Sequence, residues 1–201
     1  MKLYYVPMTR SLRPRWMLEE LGVPHELVRL DPKKGDNKTP EYLKLNPTGH
    51  VPTLVDGEVA LFESAAMLLY LADKHPEKGF APAVGAGADR AEYLKWIIYA
   101  MAELEPGLAA FFAHGIRLPE DKRKADVAAW GKDRAKSAMA PLAARLADRE
   151  YLVGGGFTAA DVLLGSQLGW AKMMGLVEDE VLGAYLKRVM ARPAAVRARA
   201  D

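Results

Sequence analysis

The chain has 201 residues, half of them apolar, and its 28 basic and 26 acidic residues leave a formal net charge of +2. That is enough to bury the core of one ordinary domain or two small ones, and too even a charge for a surface that tracks phosphates, which argues against a nucleic-acid partner. With no cysteine present, disulfides, thiolate metal sites and a protein thiol nucleophile are excluded, so any sulfur chemistry must use a sulfur that a ligand brings in.

The N-terminal run "MKLYYVPM" is too short for a signal peptide. No stretch reaches the roughly 18 consecutive apolar residues that span a bilayer. The expectation is a soluble, cytoplasmic protein with no membrane partner.

In chain order, "KLYYV" reads as the first strand. After Val6 and Pro7 the chain turns and a helix starts near Ser11, because Trp16, Met17, Leu18 and Leu21 share an apolar face and Gly22 supplies the stop. Ser11 is a suitable N-cap, Thr9 lies close by, and Pro14 fits a first turn. Unpaired amides and the positive dipole end at such a terminus stabilise an anion, and Arg10 and Arg13 add positive charge. A thiol of pKa about 8.5 is only ~3% ionised at neutral pH, and lowering it to about 6.5 makes most of it thiolate. A plain capped helix is the alternative for the same residues.

"HELVRL" alternates as a second strand, and "NPTGHVPTLVDGEVALFES", residues 46–64, holds a loop fixed by Pro47, Gly49 and Pro52 before two more strands. Asp56-Gly57 turns these last two antiparallel. Val51-Pro52 is a candidate cis peptide that leaves the Val51 amide and carbonyl open to an extended peptide ligand, with an ordinary trans proline as the alternative. Ser64 is the expected N-cap of a helix carrying Ala65, Leu68, Leu69 and Ala72 on one face. A ligand carboxylate suits the Ser64 amide and hydroxyl, and an ammonium suits Glu63, a pairing that fits the zwitterionic head of an amino acid. A simple cap beside a solvated glutamate is the competing account.

"HPEKGFAPAVGAGAD" is rich in Pro, Gly and Ala and reads as a linker. Beyond it, "AEYLKWIIYAMAEL", "KSAMAPLAARLADREYL" and "AADVLLGSQLGWAKMMGL" repeat at helical spacing. The expected organisation is an α/β domain over 1–78, a linker over 79–87 and an all-helical domain over 88–201. Thr158 and Asp161 form a capping pattern, with Phe157 placed to staple onto Val162, which assigns them to stability.

Three stretches of the first half, "TRSLRPRWMLEELGVPHELVRLD", "EYLKLNPTGHVPTLVDG" and "LFESAAMLLYLADKH", followed by "FTAADVLLGSQLGWAKMMG" in the second, resemble the cytosolic glutathione transferases, specifically bacterial members with a serine- or threonine-type first turn. The resemblance implies an α/β plus all-α architecture, with a thioredoxin-like glutathione-binding domain and an all-helical C-terminal domain. It implies a transferase that joins the glutathione thiolate to small, mostly hydrophobic electrophiles, with glutathione as co-substrate, no metal, and a homodimeric assembly. By the same resemblance Thr9, Ser11 and Arg10 form the catalytic group, Thr9 and Ser11 competing as hydroxyl donors to the sulfur, with activation by backbone amides alone as the alternative. Val51 pairs its backbone with the cysteinyl residue beside a cis Pro52, and Glu63 and Ser64 hold the γ-glutamyl head. Lys34 and His50, with Lys33 as a substitute, stand nearest the glycyl carboxylate. Met8, Tyr99, Glu103, Phe111 and His114 are expected to contact the electrophile, while Glu105 and Pro106 replace a histidine and lysine found in some relatives. The competing functions are a glutathione-dependent isomerase or dehalogenase with a dedicated substrate, and a non-catalytic binding protein of the same fold.

Overall fold

A computed structural model describes residues 1–200, which divide into two compact units: Met1–Ala81 together with the chain from Ala191, and Pro82–Met190.

The first unit is built on a four-stranded sheet of β1 (Lys2–Tyr5), β2 (Glu26–Arg29), β3 (Thr53–Asp56) and β4 (Val59–Leu61), in the spatial order β2-β1-β3-β4. β1 and β2 run parallel with Leu3 opposite Leu27, which requires a crossover, supplied by α1 (Leu12–Leu21). β3 lies antiparallel to β1, Leu54 opposite Leu3, and continues into β4 through a turn whose Gly57 has φ +61°. Leu3 and Leu54 are fully buried, as are Trp16, Met17 and Leu18 of α1 and Met67, Leu68 and Leu71 of α3 (Ser64–Lys74), which packs on α1. Gly22 ends α1 in the left-handed region, at φ +65°, and returns its N–H to the Leu18 carbonyl.

Two elements of this unit lie outside the expected pattern. A short helix, α2 (Pro40–Leu45), is started by Thr39, whose Oγ1 accepts the Tyr42 N–H at 3.3 Å, and by Pro40 in the first turn. Six residues are too few to display apolar periodicity. The last helix, α9 (Pro193–Ala198), packs against α1 with Ala194, Ala195 and Ala198 buried. Arg192 holds Glu20 in a two-pronged pair at 2.6 and 2.8 Å, and Arg197 holds Glu19 at 2.6 Å.

The second unit is helical. A continuous run over Ala88–Arg117 comprises α4 (Ala88–Tyr99), a π segment (Ala100–Leu104), α5 (Glu105–Phe111) and a second π segment (Phe112–Arg117). This run is long and apolar enough to cross a membrane by length and composition only, a test that a core helix packed inside a protein also passes. It packs against α6 (Ala125–Leu146), and α7 (Ala159–Met173) and α8 (Glu180–Met190) complete the unit. α5 and α6 meet at Gly107 and Gly131, where a Cβ on either glycine would lie within 3 Å of the other helix's backbone. At the start of α7 the Thr158 N–H and hydroxyl both donate to the buried Asp161 carboxylate, at 2.8 and 2.9 Å, which realises the capping pattern. Leu152 N–H and the Tyr185 hydroxyl bond its other oxygen, so four donors oppose the burial that pushes the Asp161 carboxyl above its ordinary range.

Candidate functional site

The turn from β1 into α1 places Met8 in the left-handed region at φ +58°, with its side chain 84% exposed. Thr9 beside it is exposed and its Oγ1 donates to the Val6 carbonyl at 2.7 Å, accepts the Ser11 N–H at 3.2 Å and lies 2.9 Å from Ser11 Oγ. Ser11 is 1% exposed, and its hydroxyl accepts the Val6 N–H at 3.3 Å. Of the two candidate hydroxyls, only that of Thr9 stands on the surface.

The anion site expected at this helix end is not formed by free amides. Ser11 precedes the first helical residue, yet its side chain caps nothing. A cap hydroxyl accepts from the second or third helical amide, and the third residue here is Pro14, which has none. The Leu12 and Arg13 amides are already bonded to the Thr9 and Arg10 carbonyls, at 3.1 and 3.2 Å. The first three residues of α1 therefore have no amide to offer a ligand.

The start of α3 is the reverse. Glu63, not Ser64, is the N-cap, and Ser64 is the first helical residue. Glu63 adopts φ +70°, a conformation that costs a non-glycine residue on the order of 1–3 kcal/mol and is tolerated where function or packing demands it. Among the described residues the Ser64, Ala65 and Ala66 amides have no hydrogen-bond partner. Ser64 is 5% exposed and its hydroxyl accepts a 3.0 Å hydrogen bond from Nη1 of Arg13, itself 2% exposed. A buried guanidinium, a hydroxyl and open amides thus share one end of an 11-residue helix, an arrangement that attracts a carboxylate. The exposed Glu63 carboxylate beside it suits a cation.

The Val51-Pro52 peptide is cis. Val51 is half-buried, and among the described residues neither its N–H nor its C=O is bonded. Of the nearby cations, Lys34 is 77% exposed and stands 3.8 Å from Asp31, while Lys33 and His50 are exposed. Lys38, absent from the expected set, reaches the Thr48 carbonyl at 3.4 Å and lies over the same loop.

Residues 1–73 match the family profile of the glutathione S-transferase N-terminal domain, and residues 101–196 that of the glutathione S-transferase C-terminal domain. The chain belongs to the glutathione S-transferase family. It is 34% identical to glutathione S-transferase GST-4.5 of Xanthomonas campestris pv. campestris, over 95% of this chain and 93% of that protein. It is 31% identical to glutathione S-transferase GstA of Escherichia coli O157:H7, over 96% of this chain and 94% of that one. Among solved structures, a sphingomonad glutathione S-transferase complexed with glutathione superposes with a TM-score of 0.86 at 32% identity, covering 99% of this chain and 97% of that chain.

In this glutathione S-transferase family member, the residues expected to meet an electrophile are unevenly placed. Tyr99 donates its hydroxyl to the Ala138 carbonyl of α6 at 3.2 Å, and burial pushes that phenol's pKa up. Glu103 is paired with Arg134 of α6 at 2.9 Å, and His114 Nδ1 accepts the Lys124 N–H at 3.3 Å. Each of the three has one polar atom bonded within the second unit, whereas Met8 is open and Phe111 is half-buried. Glu105 is buried and accepts from Gln167 Nε2 at 2.8 Å. Among the described residues no group of three or more His, Asp or Glu side chains is placed to hold a metal ion.

Proposed function

We propose that this chain is a glutathione transferase whose first unit binds reduced glutathione and holds its sulfur as a thiolate beside Thr9. The observation that carries this reading is the open end of α3, where Arg13 donates to Ser64 next to three unbonded amides and the Glu63 carboxylate. An α-amino acid head needs a place for a carboxylate and a place for an ammonium, and this end supplies both. The unbonded N–H and C=O of Val51 supply strand-like bonds for the cysteinyl residue. Lys38, His50, Lys34 and Lys33 are the exposed groups that provide positive charge for the glycyl carboxylate.

The sulfur falls to the Thr9 turn in this reading. The Thr9 hydroxyl rotates from the Val6 carbonyl to the sulfur, and its position on the surface, against the burial of Ser11, supports Thr9 as the donor. Arg10 and Arg13 add positive potential, which favours the thiolate over the thiol. The thiol proton leaves to solvent, the thiolate forms a bond to an electrophilic carbon, and the leaving group departs with the bonding electron pair. The protein forms no covalent bond, and its donors act on charge. Met8 is the candidate electrophile contact with an exposed side chain. We also infer a homodimer, for which the exposed Leu94 and Ile98, one turn apart on α4, supply apolar surface.

Calorimetric titration of the full chain with reduced glutathione tests the binding half of this proposal. Saturable uptake that weakens on Ser64→Ala and on Glu63→Gln is the expected result. No uptake at millimolar glutathione sinks it and favours a binding protein that kept only the fold. Turnover of a general aryl halide, against activity confined to one metabolite, separates the transferase from a dedicated isomerase or dehalogenase.

A further inference from the structure

We infer that Asn46 is the positioning residue of the Val51 ledge: its side chain fixes the loop on both sides of Val51-Pro52 and so aims the Val51 amide and carbonyl at a peptide ligand, a role that rests on the glutathione-binding function proposed above.

The segment between α2 and β3 has no regular structure, so its backbone groups need partners from side chains. Asn46 is 1% exposed and uses both ends of its amide. Its Oδ1 accepts the Thr48 N–H at 3.1 Å and the Thr48 hydroxyl at 2.7 Å. Its Nδ2 donates to the His50 carbonyl at 2.9 Å and to Thr53 Oγ1 at 3.0 Å. One side chain therefore grips the residue before Val51 and the residue after Pro52. Thr53 is fully buried and paired with Tyr4 in the β1–β3 register, which ties the grip to the sheet.

Tyr42 of α2 closes the network from the other side, its hydroxyl 2.5 Å from the His50 carbonyl and 2.7 Å from Thr53 Oγ1. Burial pushes the Tyr42 phenol above its ordinary range, so it stays protonated and able to donate. Two further loop carbonyls are covered, Gly49 by Asn37 Nδ2 at 2.7 Å and Thr48 by Lys38. Val51 follows a residue, His50, whose N–H and carbonyl are both bonded, while both of its own backbone groups stay open. A ledge of this kind presents free hydrogen-bonding groups on a backbone whose ordering cost is met on folding, which is what tight peptide capture requires.

Asn46→Asp tests the role because it is isosteric, keeps the acceptor facing Thr48, and turns the donor facing the His50 carbonyl into a second acceptor. In the full chain, with melting curves to confirm folding, the KM for glutathione rises about tenfold, the effect expected when one hydrogen bond to a buried carbonyl is lost. The kcat at saturating glutathione and the KM for an activated aryl halide stay at the wild-type values. Tyr42→Phe and Thr53→Val raise the same KM less, and Thr53→Ser, which keeps the hydroxyl, does not. If Asn46→Asp fails to fold, the Tyr42 and Thr53 series carries the same comparison. Folded variants that keep the wild-type KM for glutathione overturn the role, as do variants that lose kcat and both KM values together. A wild-type chain that takes up no glutathione in the calorimeter overturns the proposed function itself, and this role falls with it.

Discussion

Arg13 Nη1 and Ser64 Oγ, 51 positions apart in the chain, meet at 3.0 Å in the interior of the first unit. A guanidinium buried to this depth is costly unless its surroundings or a ligand supply negative partners. Arg13 is on the helix that follows the Thr9 turn, and Ser64 opens the helix with the unbonded amides, so one contact links the two ends of the proposed glutathione site.

The first prediction concerns that contact. Arg13→Lys keeps the charge but loses the planar fork, and Arg13→Met loses both. A hydrogen bond to a charged group contributes about 1.5–3 kcal/mol, so the Kd for glutathione rises roughly ten- to a hundredfold in Arg13→Met and less in Arg13→Lys. Calorimetry on variants with confirmed melting transitions checks this. Equal affinity in all three proteins means that Arg13 is a structural residue alone.

A second prediction addresses the crossing of α5 and α6. A Cβ on Gly131 would sit 2.5 Å from the Phe111 backbone nitrogen, and one on Gly107 would sit 2.7 Å from that of Ala135. Backbone cannot yield as a flexible side chain does, so either alanine substitution forces the helices apart. Overpacking of this kind costs about 1–3 kcal/mol. At roughly 2–4 °C per kcal/mol for a chain of this size, the melting temperature falls by about 2–12 °C. Glutathione affinity, proposed above to reside in the first unit, stays unchanged in the folded variants.

The hairpin between β3 and β4 supplies a pH test. Asp56 accepts from Lys74 Nζ and from the Tyr70 hydroxyl, and the Lys74 bond is the main reason its carboxyl is held below the ordinary value of 3.8. A carboxyl lowered by folding contributes stability that is fully present above its unfolded pKa and disappears as the pH falls through the folded one. Melting curves of wild type and Lys74→Met therefore differ at neutral pH and converge as the pH drops below about 3.8. A gap that persists undiminished in acid assigns the Lys74 effect to packing instead.

The sequence exposes the parts of the fold whose signals are local. α1 and α3 follow from apolar spacing, and the hairpin follows from Asp56-Gly57. α2 is too short to show a period, and the docking of α9 depends on Arg192 meeting Glu20 across 172 positions, which no local pattern reveals. At the site, Val51-Pro52 and Glu63-Ser64 are legible because two adjacent residues carry the geometry. The burial of Arg13 is not, since charged residues are expected at the surface. The reach of Lys38 to Thr48 is not legible, because it depends on how the turn at Asp36–Lys38 folds. The idle cap at Ser11 is legible in Pro14, which at the third helical position lacks the amide that a cap needs.

The most direct test of the central claim is the ionisation of the bound thiol, followed by ultraviolet absorbance as the pH of the glutathione complex is raised, in wild type, Thr9→Val and Ser11→Ala. A thiol pKa well below the free value of about 8.5 is expected in wild type, with a return toward it in Thr9→Val and little change in folded Ser11→Ala. A bound thiol in the wild-type protein that ionises as it does in free glutathione contradicts the account.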